Sequence, residues 1–227
     1  MFRSISKNIK IFILYCKYRK LSVKEIFKKI YDEKKWGDDK KLYSGPGSHE
    51  KELTIPYLKY VQDFLNEKNY TVTDLGCGDF NIGKELYTYS KKYIAIDIVE
   101  KLVEENKRKY INTNLYFKCI NVLENKIPIT DCIIIRQVLQ HLDNNSIEII
   151  LKQIYKFKFL ILTEHLPKNK FIPNIDKFTG PTIRLDTSYS GVDLEKKPFN
   201  LKFKSKKELI IEDKKLGGIH KTIIYKL

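Results

Sequence analysis

The rhythm of apolar and polar positions changes near residue 70. Before it the period is helical. Val23, Ile26, Phe27, Ile30 and Tyr31 share one face of a segment spanning about 22–36, and Ser22 with Glu25 forms a capping-box pair at its start. A glycine-rich loop, "WGDDKKLYSGPGSHE", follows, and a second helix is expected over about 55–67 with Leu58, Val61 and Leu65 inward. Beyond residue 70, short apolar runs alternate with helical periods. "TVTDL", "YIAID", "NLYFKCI", "DCIIIR" and "FKFLILTE" read as strands. Residues 82–90, "IVEKLVEENKRKY" and 146–156 read as helices, the first with Ile82, Leu86 and Tyr89 on one side. This alternation predicts a parallel sheet with right-handed crossovers. The unbroken run in "DCIIIR" marks a strand buried on both faces.

The pattern breaks over residues 165–198, which hold four of the seven prolines and no clear helical period. Phe171, Ile172, Ile175, Phe178 and Ile183 supply apolar anchors there, so this stretch is expected to be a lid over a substrate. The last segment, "KELIIEDKKLGGIHKTIIYKL", reads as two antiparallel strands around Gly217 and Gly218. The expected organisation is an N-terminal extension and covering loop over 1–50, then one α/β domain over 51–227.

Composition narrows the classes. The 227 residues are 42% hydrophobic and 12% aromatic, which excludes a disordered chain. The formal charge of +15 would suit nucleic acid, anionic lipid or an acidic substrate. Lysine is spread along the whole length, so no specific nucleic-acid role is expected. Cys16, Cys77, Cys119 and Cys132 show no C-x-x-C spacing, which argues against a zinc or redox motif and suits a reducing cytoplasm. Cys119 and Cys132 lie in strand-like runs and are expected in the core. "IFILYC" is too short to span a membrane.

The chemistry concentrates in "VTDLGCGDFNIG". Gly76 and Gly78 stand where the first parallel strand hands over to the next segment, the place where open α/β sheets bind ligands. Glycine there admits close approach of backbone to a ligand and unusual dihedrals. Asp97 ends the second strand, 21 residues after Gly76, and can accept hydrogen bonds from both hydroxyls of a ribose. Asp74 precedes the loop and can accept from its amides. Asn121 follows the third strand, within reach of an adenine edge. A dinucleotide would want a third glycine at Asn81, so a nucleoside without phosphates fits better.

As a set, "VTDLGCGDFNIG", "YIAIDIV", "CINVLE" and "DCIIIRQVLQHLDNN" resemble the motifs of class I S-adenosylmethionine-dependent methyltransferases over roughly residues 70–165. The resemblance implies a Rossmann-like seven-stranded, mainly parallel sheet with an antiparallel last strand and helices on both faces. It implies that Gly76, Cys77 and Gly78 approach the methionine part of the cofactor with Asp74 supporting the loop. It implies Asp97 on the ribose, Ile98 against adenine, Asn121 and Val122 about the adenine amine, and Arg136 and Gln137 beside the methionine end. The flanking "WGDD…YSGPGS" and "HLPKNKFIPNIDK…IRLD…SGVDLEKKPF" resemble methyltransferases of bacterial capsule and surface-polysaccharide biosynthesis, including the O-methyl phosphoramidate pathway. The implied acceptor is a small sugar-like or anionic molecule.

Methyl transfer to oxygen needs a nucleophile held in line and a destination for its proton. His141, just after the fourth strand, is the expected general base. His165, with Glu164 as orienting partner, and Arg184 in the proline-rich stretch are expected to meet the acceptor. Tyr43 and Ser44 could reach the cofactor carboxylate if their loop closes. Trp36 reads as an anchor for the N-terminal helix, His49 as peripheral and His220 as structural. No metal is expected. The rival readings are an RNA methyltransferase, supported by charge alone, and a cofactor-binding partner protein without catalysis.

Overall fold

The computed structural model describes residues 2–37 and 42–227; Asp38 and Asp39 of the expected covering loop lie outside the described residues. Helix α1 (Phe2–Tyr18) leads into α2 (Val23–Asp32) and α3 (Lys51–Asn66). The sheet then begins: β1 (Thr71–Leu75), β2 (Lys92–Asp97), α4 (Glu100–Lys109), β3 (Leu115–Cys119), β4 (Cys132–Arg136), α5 (Asn144–Ile154) and β5 (Phe159–Leu166). A short α6 (Arg184–Ser188) precedes the final hairpin of β6 (Ser205–Glu212) and β7 (Ile219–Lys226).

The seven strands lie in the order β3-β2-β1-β4-β5-β7-β6. The first five are mutually parallel, β7 runs antiparallel to β5, and β6 antiparallel to β7. This is the Rossmann-like arrangement expected, with its antiparallel finish. The strand order reverses between β1 and β4, so a crevice opens at their carboxyl ends.

Each strand's two-residue period divides the core. Ile133 and Ile135 of β4 join Leu75, Ile96 and the Ile147, Ile150 and Ile154 stripe of α5 on one face. Cys132 and Ile134 join Val72, Tyr93 and the Tyr57, Val61 and Leu65 stripe of α3 on the other. Strand β4 is thus covered on both sides, as its unbroken apolar run predicts.

Local signals set the starts of two helices. Ser22 and Glu25 complete the capping box of α2, and the Asp143 side chain caps α5 by accepting from the Ser146 amide. Helix α2 stops at Asp32, short of the expected residue 36, and α3 starts at Lys51, ahead of the expected 55.

Four expectations need correction. Residues 82–90 form two 3-10 turns, Gly83–Glu85 and Tyr87–Tyr89, in place of a helix. Phe80, at φ +61°, turns its ring into the core against Tyr93, Tyr110 and Phe117, and the ring lies where a Cβ on Gly83 would be. Tyr89 consequently faces solvent. Cys119 is exposed, whereas Cys132 is fully buried. Ile172 and Ile175 are exposed and do not anchor the 165–198 stretch. The apolar N-terminal run, too short for a membrane span, belongs to α1. No helix among the described residues is long and apolar enough to cross a membrane.

Candidate active site

The glycine motif is built by bonds across the sheet edge. The amides of Gly76 and Cys77 both donate to the carbonyl of Ile96, at 2.8 and 3.1 Å. The chain therefore bends over the end of β2, with Gly76 at φ +76° and Gly78 at φ +55°. The Gly78 amide donates to Asp97 Oδ2 and the Val99 amide to Oδ1, each at 2.9 Å. Each carboxylate oxygen keeps a further lone pair, so Asp97 can still receive two hydroxyls. Burial raises its pKa against the pull of these amides. A Cβ at Gly78 would overlap Ser44 Oγ, and one at Gly76 would overlap Val138. Both glycines are required by protein packing as well as by dihedral.

Asp74 does not hold the loop amides. It accepts from the Tyr93 hydroxyl at 2.9 Å, and burial pushes its carboxyl up to about 7.

The 42–50 loop is latched to this motif. The Ser44 amide donates to Asp79 Oδ2, and the Asp79 amide donates to Ser44 Oγ. Ser44 Oγ also lies 3.0 Å from the Tyr31 hydroxyl of α2. His49 Nε2 lies 2.6 Å from Asp79 Oδ2, so His49 is part of the latch and not peripheral. Arg136 Nη2 donates to the Gly47 carbonyl at 2.6 Å, with the guanidinium 4.7 Å above the Tyr57 ring. Tyr43 stacks on His49, outside the cavity wall.

Between motif and loop lies a cavity of about 360 Å³, a volume suited to a small ligand. One end holds Asp97, Ile98, Asn121 and Val122. The middle holds Asp74, the Gly76–Cys77–Gly78 turn, Ser44 and Arg136. The far wall is formed by Trp36, Gln137, His141, Pro181, Ile183 and Asp186, with Lys35 at its side. Trp36 was read as an anchor. It does both: Nε1 donates to the Pro181 carbonyl at 3.2 Å, and the ring lies 4.9 Å from that of His141. Tyr31 and Phe27 of α2 also line the cavity and went unassigned in sequence, where their spacing shows only a buried face.

Three expected acceptor residues do not reach it. Arg184 is 1% exposed and donates to the carbonyls of Ile175 and Leu139 and to Asn144 Oδ1. Its hydrogen-bonding capacity is directed into the protein, so it is a staple and not an anion receptor. Glu164 is buried and accepts from the amides of Leu139 and Gln140; burial pushes its carboxyl up to about 8. It does not orient His165. The His165 ring stacks on His220, and its Nε2 lies 2.6 Å from the Gly217 carbonyl.

His141 lines the cavity, but burial and the nearby Lys177 push its pKa down to about 3. Its Nδ1 is buried without a hydrogen-bond partner. As a proton acceptor it is weak, which removes most of the electrostatic case for a general base.

Gln137 is held from behind. At φ +57°, its Nε2 meets His220 Nδ1 at 2.8 Å, and His220 Nε2 meets Asp213 Oδ2 at 3.1 Å. His165, Asp213 and His220 are close enough to suggest a metal site. The two rings are stacked only 28° from parallel, so their in-plane lone pairs do not converge on one point.

Residues 72–157 match the family model described as "Methyltransferase domain". No curated protein matches the chain. Among solved structures, the fold resembles magnesium protoporphyrin IX methyltransferase from Synechocystis PCC 6803 with a TM-score of 0.59 and 14% identity, over 91% of this chain and 100% of that one. It resembles the N-methyltransferase NodS from Bradyrhizobium japonicum with a TM-score of 0.57 and 11% identity, over 86% and 97% of the two chains. It also resembles the methyltransferase domain of the bacterial protein CtHen1 with a TM-score of 0.54 and 18% identity, over 75% and 97%. At these identities the likeness is one of fold. Residues 72–157 thus match a methyltransferase domain, and the sheet that contains them has the fold of solved methyltransferases.

Proposed function

We propose that the cavity binds S-adenosylmethionine and that the chain transfers its methyl group to an oxygen of a small polar acceptor. The acceptor class we favour is a sugar or a phosphate- or phosphoramidate-type precursor of capsule biosynthesis. The observation that carries the cofactor assignment is Asp97: a buried carboxylate at the end of β2 that is fixed by the glycine turn while lining the cavity. Its remaining lone pairs suit ribose hydroxyls. Ile98 and Val122 offer apolar faces to a base, with Asn121 at its edge. Ser44 and Arg136 line the middle of the cavity beside the glycine turn, where an amino-acid moiety would lie.

When bound, the cofactor supplies an activated methyl carbon. The protein's task is to hold the nucleophile in line with it and to keep water out. Trp36, His141 and Pro181 form the wall for that purpose. A phosphate-type oxygen already ionised at neutral pH needs no base, which agrees with the weak basicity of His141, whereas a sugar hydroxyl would need another proton acceptor. The +15 charge of the chain favours the ionised acceptor. In this reading His141 is a neutral wall residue, and the 165–198 stretch contributes Pro181, Ile183 and Asp186 to the acceptor side.

The test is calorimetry with S-adenosylmethionine. Asp97→Ala should weaken binding by about 1.5–3 kcal/mol through lost charge-assisted bonds. Unchanged affinity would remove Asp97 from the site. Labelled-methyl transfer to phosphate-type and sugar-type acceptors then separates the two substrate classes.

A further inference from the structure

Helix α1 has two apolar faces. One is packed: Leu14 and Tyr18 join Ile26, Ile30 and Phe178, and Tyr15 meets the Phe178 ring edge-on at 5.8 Å. The other faces solvent. Ile9, Phe12 and Ile13 are 54%, 64% and 57% exposed, and Cys16 is exposed beside them. Positions 9, 12, 13 and 16 fall in one helical stripe. Scattered exposed apolar residues are ordinary. A stripe in register, on a helix whose other face packs on α2 and Phe178, marks a contact surface.

Charge specifies the contact. Residues 1–24 contain Arg3, Lys7, Lys10, Lys17, Arg19, Lys20 and Lys24, and no Asp or Glu before Glu25. Lys17 is paired with Glu33, while Lys10, Arg19 and Lys20 are exposed. We propose that α1 is an interfacial helix that docks on a bilayer surface carrying anionic phospholipid. The Ile9–Phe12–Ile13 stripe enters the headgroup–acyl boundary, and the cations meet lipid phosphates. A second copy of the chain is a poorer occupant, because it would press two basic helices together with no carboxylate on either. The net charge of +15 adds long-range attraction to an anionic surface. Through Phe178 the helix rests on the stretch that supplies Pro181 and Ile183 to the cavity wall.

Flotation of the full chain with vesicles tests this. It should float with phosphatidylcholine mixed with phosphatidylglycerol, and not with phosphatidylcholine alone, and binding should fall as salt rises. Phe12→Ser with Ile13→Ser should lower partitioning by roughly tenfold or more, since lipid burial of apolar groups is lost. Lys10→Glu, Arg19→Glu and Lys20→Glu together should abolish the preference for anionic lipid. Circular dichroism checks that each variant is folded; if the double serine variant is not, Phe12→Ser alone is read in its place. Three results overturn the proposal. One is the absence of flotation. Another is equal flotation of every variant, which would mean adsorption by the remaining basic surface. The last is a concentration-dependent dimer in sedimentation velocity that Phe12→Ser removes, which would make a second copy the occupant.

Discussion

Ser44 and Asp79 bond to each other twice: the Ser44 amide donates to Asp79 Oδ2 at 3.0 Å, and the Asp79 amide donates to Ser44 Oγ at 2.8 Å. The covering loop and the glycine motif therefore move as one piece, with Tyr31 and His49 joined to the same two residues. Ser44→Ala removes the acceptor for the Asp79 amide and leaves that part-buried donor unpaired. Cofactor affinity should fall by about 1–2 kcal/mol, read by calorimetry. Proteolysis within 42–50 should quicken in the same variant. Intact affinity with faster proteolysis would mean that the latch orders the loop but takes no part in binding.

Gly78→Ala tests whether the turn needs glycine for dihedral or for space. Both apply at φ +55°, where an added Cβ also overlaps Ser44 Oγ. Gly217 is the control: φ is +77°, with no atom near its missing Cβ. Gly217→Ala should cost about 1–2 kcal/mol of stability, the price of the left-handed conformation alone. Gly78→Ala should cost more and should also displace Ser44, so it lowers cofactor affinity while Gly217→Ala does not. Equal thermal shifts for the two would show that Ser44 gives way freely.

The chain announces its local features and conceals its distant ones. The short apolar run of β4 and the capping box of α2 lie within a few residues, so both are legible in sequence. Asp97 is legible because the glycine turn and the end of β2 must meet in any sheet of this order. Where a helix is expected over 82–90 the chain makes 3-10 turns beside Phe80, which packs on Tyr110 and Phe117, residues thirty or more positions away that no local pattern reveals. Trp36 was half legible: its anchoring role follows from the helix before it, but its place in the cavity depends on Pro181. His49 and Arg184 were misplaced for a shared reason. A charged or titratable side chain in a loop is read as exposed by default, and partners far along the sequence decide otherwise.

Protonation of His220 should cost the fold stability between pH 6.5 and about 4, against the opposite drift from Asp74 and Glu164, whose raised pKa values keep protons on the folded chain there. Burial, with the His165 ring and the Arg136 guanidinium close by, pushes the His220 pKa down to about 4. An unfolded histidine titrates near 6.5. Within that window the unfolded chain binds a proton at this group that the folded chain does not, so its contribution to stability falls as pH falls. One such group gives a slope of at most about 1.4 kcal/mol per pH unit. His141, pushed down to about 3, adds in the same direction. His220→Gln should lower stability at neutral pH by unsettling Asp213 and Gln137, yet flatten the acid limb. Urea midpoints at pH 7 and pH 4.5 measure both effects. An acid limb as steep as in the parent chain would show that His220 becomes charged without cost.

Arg184 and Glu164 grip one turn from its two sides. Arg184 Nη1 donates to the Leu139 carbonyl at 3.2 Å, while Glu164 accepts from the Leu139 and Gln140 amides at 3.2 and 3.0 Å. The turn they fix, Leu139–His141, is the one that places His141 in the cavity wall. Arg184 also ties this turn to α5 through Asn144 and to its own stretch through Ile175. A lysine cannot reproduce donors spread over a planar fork, so Arg184→Lys leaves some of these acceptors unpaired in a buried site. Unfolding free energy should drop by about 3 kcal/mol or more. The loss should appear in urea titrations without any acceptor present, and cofactor affinity should change little because Arg184 does not line the cavity. A direct contact with the acceptor predicts the opposite pattern, a raised KM at unchanged stability. Stability lost first, with KM rising only as the Leu139–His141 turn loosens, identifies Arg184 as a positioning residue.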